Sequence, residues 1–146
     1  MSIASIALAF ALLGQLQSDD GVILAISDDT AFVLPLSSLR HTGQATFATL
    51  VSIYAETGED WEEVRRDTAV EINCSTAQWR VMGERQIARD GTVRSMEEGA
   101  EVWEQVPATY PPAAALKAIA CDDLDVSSST LTDWQSRLPE IRAALQ

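Results

Sequence analysis

Thr68–Cys74 reads TAVEINC, a turn follows at Ser75–Ala77, and Gln78–Ile87 continues as QWRVMGERQI. Alternation over TAVEINC sets Val70, Ile72 and Cys74 on one side and Ala69, Glu71 and Asn73 on the other, the period of a half-buried strand. Cys74 therefore points inward. Its partner strand sets Trp79, Val81 and Ile87 against Gln78, Arg80, Glu84 and Gln86, with Gly83 marking a bulge or a close contact. Two long strands joined by a tight turn make an antiparallel pair, and the rest of the chain is read outward from it.

Upstream, Gln44–Tyr54 alternates Phe47, Thr49, Val51 and Ile53 with Thr46, Ala48, Leu50 and Ser52. Gly21–Ser27 and Thr30–Leu36 form a hairpin about Asp28-Asp29, with Pro35 ending the second strand or holding it at an edge. Ser37–Gly43 reads as a loop, and residues 55–66 as a charged, solvated connection. Downstream, Asp90-Gly91 is a hairpin signal. Thr92–Met96 returns, Glu97–Glu101 is a loop, and Val102–Val106 adds a last short strand. The expected class is α+β, an antiparallel meander of about six strands.

The grammar then changes. Pro111-Pro112 opens Ala113–Cys121 (AAALKAIAC), strong helix formers with proline where a helix tolerates it. Two turns do not hold alone in water, so Leu116 and Ile119 are expected to anchor this helix on the sheet. Asp122–Ser129 reads as an acidic, serine-rich linker. Thr130 resembles an N-cap, and Leu131, Trp134, Leu138, Ile141 and Leu145 recur at helical spacing, giving an amphipathic tail helix that Pro139 should kink or divide.

Cys74 and Cys121 are the only cysteines among 146 residues. In a reducing compartment they are two separate thiols; in an oxidising one the pair invites a bridge tethering helix to sheet. Ile3–Leu13 (IASIALAFALL) is an apolar run of signal-peptide length, too short to span a bilayer. Residues 1–18 are expected to be a leader, 19–121 the domain, and 122–146 the linker and tail. The competing reading makes the apolar run a buried element of the mature protein.

The formal net charge is −12, from 22 acidic and 10 basic residues. Such a surface repels phosphate backbones and anionic membranes. Chemistry-bearing patterns are sparse. His41 is the only histidine and sits in a loop without a nucleophile-elbow motif beside it. One histidine and a paired Cys74 and Cys121 leave no transition-metal set. Asp28-Asp29, Glu97-Glu98 and Asp122-Asp123 lack the calcium-loop spacing, and no phosphate-binding glycine motif occurs. No catalytic residue, cofactor or metal is expected. Among Trp61, Trp79, Trp103 and Trp134, Trp61 stands out, because it lies in an acidic connection with Glu59 and Asp60. These three are the candidate protein-binding residues.

The order Glu71-Ile72-Asn73-Cys74, Trp79-Arg80, Asp90-Gly91, Trp103-Glu104-Gln105-Val106-Pro107 and Leu116–Cys121 resembles the surface-adhesin protein E-like family. Ser27-Asp28-Asp29 and Pro35–Leu39 are similar to its first hairpin and following loop. The likeness covers roughly Gly21 to Cys121. It implies a sheet with a helix held to one face by a Cys74–Cys121 disulfide, a Gram-negative envelope location, and binding of host matrix or other envelope proteins, or of a second copy. Gln15 follows Leu12-Leu13-Gly14 where a lipoprotein leader would carry cysteine, which favours a periplasmic or secreted protein without a lipid anchor. The tail 122–146 also exceeds the family pattern.

The function expected on these grounds is a non-catalytic exported domain that binds another protein, losing affinity on Trp61→Ala. The alternative is a periplasmic carrier holding a small apolar ligand between sheet and helix. An enzyme with a cleft of pKa-perturbed acids is the third reading.

Overall fold

The computed structural model describes residues 20–55 and 63–145. Trp61, Glu59, Asp60 and the apolar leader lie outside the described residues. Among the described residues, one nine-stranded sheet carries the fold, every pair in it antiparallel. The strands are β1 (Gly21–Ile26), β2 (Thr30–Pro35), β3 (Arg40–Thr42), β4 (Ala45–Tyr54), β5 (Glu63–Asn73), β6 (Gln78–Ala88), β7 (Val93–Glu98), β8 (Glu104–Gln105) and β9 (Thr130–Leu131). Their order is β7-β6-β5-β4-β2-β1-β9, with β3 on β4 and β8 on β6. Helix α1 spans Pro111–Cys121 and α2 spans Leu138–Ala144.

The class is α+β, and the Cys74–Cys121 disulfide ties the last residue of α1 to the end of β5, with the Cα atoms 5.4 Å apart. Pro35 closes β2, and the Asp28-Asp29 turn is held by Ser27 N–H donating to Thr30 O at 2.9 Å. Three stretches expected to be loop or connection carry strand. Arg40–Thr42 pairs with β4, Glu97 and Glu98 extend β7, and Glu63–Arg66 starts β5. Their charged side chains hid the pairing, because a strand needs an apolar pattern only on faces that are covered.

Both faces of the sheet centre are covered, by different elements. Alternation on β4 and β5 runs as expected. Ala48, Val70 and Ile72 meet Ala113, Leu116 and Ile119 of α1, joined by Val22, Leu34 and Trp79. Val51 and Ile53 point the other way, into a second core with Ala31, Val33, Trp134 and Leu145. That double burial explains why β4 is apolar on both sides.

The tail is not one amphipathic helix. Thr130–Leu131 pairs with β1, a 3-10 turn covers Trp134–Arg137, and α2 starts at Leu138 with Pro139 in its first turn. Proline divides the segment by beginning a helix where its missing N–H costs nothing. Thr130 does not cap; its hydroxyl donates to Val126 O at 2.8 Å. The apolar stripe still packs on its own domain: Trp134 is 1% exposed, and Leu131, Leu138 and Ile141 lie around it. Gly21 makes room for that ring, since a Cβ there would lie 2.9 Å from it.

Strand β6 departs from simple alternation. Val70 pairs with Val81 but Ala69 with Gly83, so Met82 is an extra residue. This bulge, one of the two readings of Gly83 (the other being a close contact), reverses the facing of the residues beyond it. Arg85 and Ile87 join the tail face, and Glu84 and Gln86 join Trp79 on the helix face. Ile87 and Trp79, expected on one side, therefore lie on opposite faces.

Candidate functional site

Helix α1 covers only one end of its face. At the other end the strands leave an open groove of about 370 Å³, lined by residues that include Phe32, Ser52, Arg66, Thr68, Glu84 and Tyr110. Pairing places these side chains in rows. Phe32, Ser52 and Arg66 lie side by side across β2, β4 and β5; Leu50, Thr68 and Glu84 form the next row across β4, β5 and β6. Ser52, Thr68 and Leu50 make a buried floor. Tyr110, the residue preceding α1, meets Phe32 edge to face, with centroids 5.9 Å apart. Tyr54 and Trp79 add aromatic lining.

The electrostatics are local. Tyr110 has its phenol pKa raised above the ordinary 10.0, first by burial and second by the negative charge of Glu84. It stays protonated at neutral pH, available as a hydrogen-bond donor. Arg66 brings a positive charge to the same lining.

On the opposite face two carboxylates are paired in place. Arg65 grips Asp67 with two hydrogen bonds, at 2.7 and 2.9 Å, and Arg85 adds a third at 3.0 Å. Arg80 pairs with Glu71 at 2.7 Å. Two of these guanidiniums also lie over aromatic rings, Arg65 over Trp134 at 5.3 Å and Arg80 over Trp103 at 4.9 Å. These contacts are structural: they satisfy buried carboxylates.

Of the candidate residues, Cys74 and Cys121 come together as the disulfide. His41 lies exposed on β3, its Nδ1 3.0 Å from Thr46 Oγ1. Among the described residues, no three His, Cys, Asp or Glu side chains group to hold a metal, and no helix is long and apolar enough to cross a membrane. Trp79 and Trp134 are core residues; Trp103 is exposed beside Val102. The groove residues do not stand out in the sequence. The available signal is the hydroxyl and charged content of the helix-facing register: Thr30, Ser52, Thr68 and, past the bulge, Glu84.

No family model, curated protein or solved structure matches this chain. Nothing in those comparisons identifies the surface-adhesin E-like family, which leaves the groove as the guide to function.

Proposed function

We propose that this is a non-catalytic, exported binding domain whose working site is the groove beside α1, and that it holds a small amphipathic molecule there. One observation carries the reading: a concave floor of buried hydroxyls and apolar atoms, walled by Phe32 and Tyr110, on a sheet otherwise covered at its centre. At about 370 Å³ the groove lies at the small end of the range of ~300–1,000 Å³ usual for ligand sites. The site lies beside the helix rather than under it, because Leu116 fills the space between helix and sheet. Export is supported by the disulfide, which belongs to an oxidising compartment, and by the apolar leader.

The test is titration of the native chain with a fluorescent aromatic amphiphile. Saturable binding is expected, weakened at least about tenfold by Phe32→Ala with Tyr110→Ala, while thermal unfolding shows the variant folded. Absence of saturable uptake would sink the reading. For the compartment, intact mass of protein recovered from the periplasm should lack residues 1–18 and show no alkylatable thiol; a full-length, doubly alkylated cytosolic form would overturn export.

A second reading, binding of another protein or a second copy, has its own support. Among the described residues, strand β7 ends the sheet with an open edge, and Val93, Val102 and Trp103 are exposed. Open edges pair with other chains unless blunted. Sedimentation of the chain alone separates self-pairing from a monomer.

A further inference from the structure

We infer that the groove takes a primary ammonium ion carried on an apolar body, its nitrogen seated between Glu84 and the hydroxyls of Ser52 and Thr68. The inference rests on the groove being the working site and adds the chemical class of its occupant.

Strand pairing sets two carboxylates side by side at one rim. Glu84 stands directly opposite Glu97 of β7, so both face the groove side of the sheet, with Cβ atoms about 4.5–5.5 Å apart. Among the described residues, neither has an arginine or lysine as an ion-pair partner. Like charges in directly opposed positions repel, and a cation lodged against them relieves the repulsion. Tyr110 registers the same sign: burial first, and the negative charge of Glu84 second, raise its phenol pKa.

A second, independent feature points to a hydrogen-bond donor. Ser52 and Thr68 are only 8% and 9% exposed, and both line the groove. Among the described residues neither hydroxyl has a hydrogen-bond partner. A buried polar group left unpaired is costly, so their partners come from whatever enters the groove. Thr68 lies opposite Glu84, and Ser52 is its diagonal neighbour on β4. Two acceptors and an anion thus converge, and a primary ammonium has three N–H donors to meet them.

Other occupants fit less well. An anion would face Glu84 and Glu97. A metal ion lacks ligands, since among the described residues no three His, Cys, Asp or Glu side chains group together. Arg66, beside Ser52 and opposite Gln86, already makes an interaction of its own and takes no part in the recognition. Phe32, Trp79 and Tyr110 supply ring surface for the apolar body. Aromatic faces attract positive charge, which favours the same sign as the carboxylates.

Four probes sharing one body test this by calorimetry on the whole chain: phenethylamine, phenethyltrimethylammonium, phenethyl alcohol and hydrocinnamate. Phenethylamine, protonated at neutral pH, is expected to bind at least about tenfold tighter than the neutral alcohol or the anionic hydrocinnamate. It should also exceed the trimethyl analogue, which keeps the charge but has no N–H for the hydroxyls. Glu84→Gln should bring phenethylamine down to the level of the alcohol. Ser52→Ala with Thr68→Val should bring it down to the level of the trimethyl analogue. A variant that failed to fold would lose all four probes together, whereas these losses are confined to the cations. Phenethylamine bound no tighter than the alcohol, or weaker than hydrocinnamate, would overturn the cation while leaving the groove as the site. A trimethyl analogue bound as tightly as the amine would overturn the primary ammonium. No binding of any probe would overturn the inference as well, and failure of the fluorescent amphiphile too would take the groove with it.

Discussion

Gly99 packs directly on the backbone of Val81: a Cβ on Gly99 would lie 1.9 Å from the Val81 carbonyl oxygen. The chain between β7 and β8 follows the edge of β6 here, with Gly99 N–H donating to Met82 O at 3.1 Å and Glu101 N–H to Val81 O at 3.3 Å. Met82 is the extra residue of the bulge that turns Glu84 toward the groove. A glycine outside the site thereby supports the facing of a residue within it. Gly99→Ala should destabilise the domain by about 1–3 kcal/mol through overpacking against backbone. Urea unfolding measures it, and an unchanged midpoint would show that the edge has room to move.

The disulfide closes a separation of 47 residues. Replacing both cysteines by alanine should lower stability by about 2–4 kcal/mol, chiefly by releasing the unfolded chain. Thermal unfolding of the oxidised, reduced and double-alanine forms tests this. The last two should agree, and a double-alanine form as stable as the oxidised protein would contradict the expectation.

Asp67 is 1% exposed and serves two arginines. Asp67→Ala leaves Arg65 and Arg85 without their buried carboxylate and should cost about 3–5 kcal/mol. The contrast is Glu140, an exposed partner of Arg137 at 3.3 Å, whose replacement by alanine should shift stability by less than about 1 kcal/mol. Equal effects would mean that burial does not set the worth of these pairs.

Trp134 joins the tail to the sheet. Trp134→Ala should cost about 3–5 kcal/mol, the range for removing a buried aromatic. It should also increase hydrogen exchange across β9 and α2. A loss confined to the tail, with the sheet's unfolding midpoint unchanged, would show that the tail docks without contributing to global stability.

Tyr110 gives a pH prediction. Its folded pKa is raised above 10.0, mainly by burial and then by Glu84. The associated stabilisation is fully present below the ordinary tyrosine value and disappears as pH rises through the folded one. Phenolate absorbance, assigned by difference against Tyr110→Phe, should titrate above the ordinary value. Glu84→Gln should bring the midpoint part of the way down, since burial remains. A normal midpoint in the native chain would place the Tyr110 ring outside the groove wall.

Much of the architecture is legible in the sequence because local chemistry and global packing agree. Alternation at Val70, Ile72 and Cys74 matches the buried face, and Pro111-Pro112 marks the helix start. Legibility fails where one rule hides another. Arg65 and Arg66 look like solvated charges, yet they sit in β5, where Asp67 and the groove give their heads polar surroundings. The stripe from Leu131 to Leu145 has helical spacing, yet the apolar surface it covers is the flat face of a sheet, which a strand, a 3-10 turn and a short helix cover as well as one helix would.

The sequence by itself determined the hairpins β1–β2, β5–β6 and β6–β7, the short anchored helix and an inward-facing Cys74, because each comes from periodicity and turn chemistry within a few residues. Only the tertiary structure decided which face each element covers, that a bulge at Met82 brings Glu84 to the same face as Trp79, and that α1 stops short of Phe32, Ser52, Arg66 and Thr68. Those outcomes depend on register between strands far apart in the chain, and a one-residue shift in register exchanges the two faces of everything beyond it.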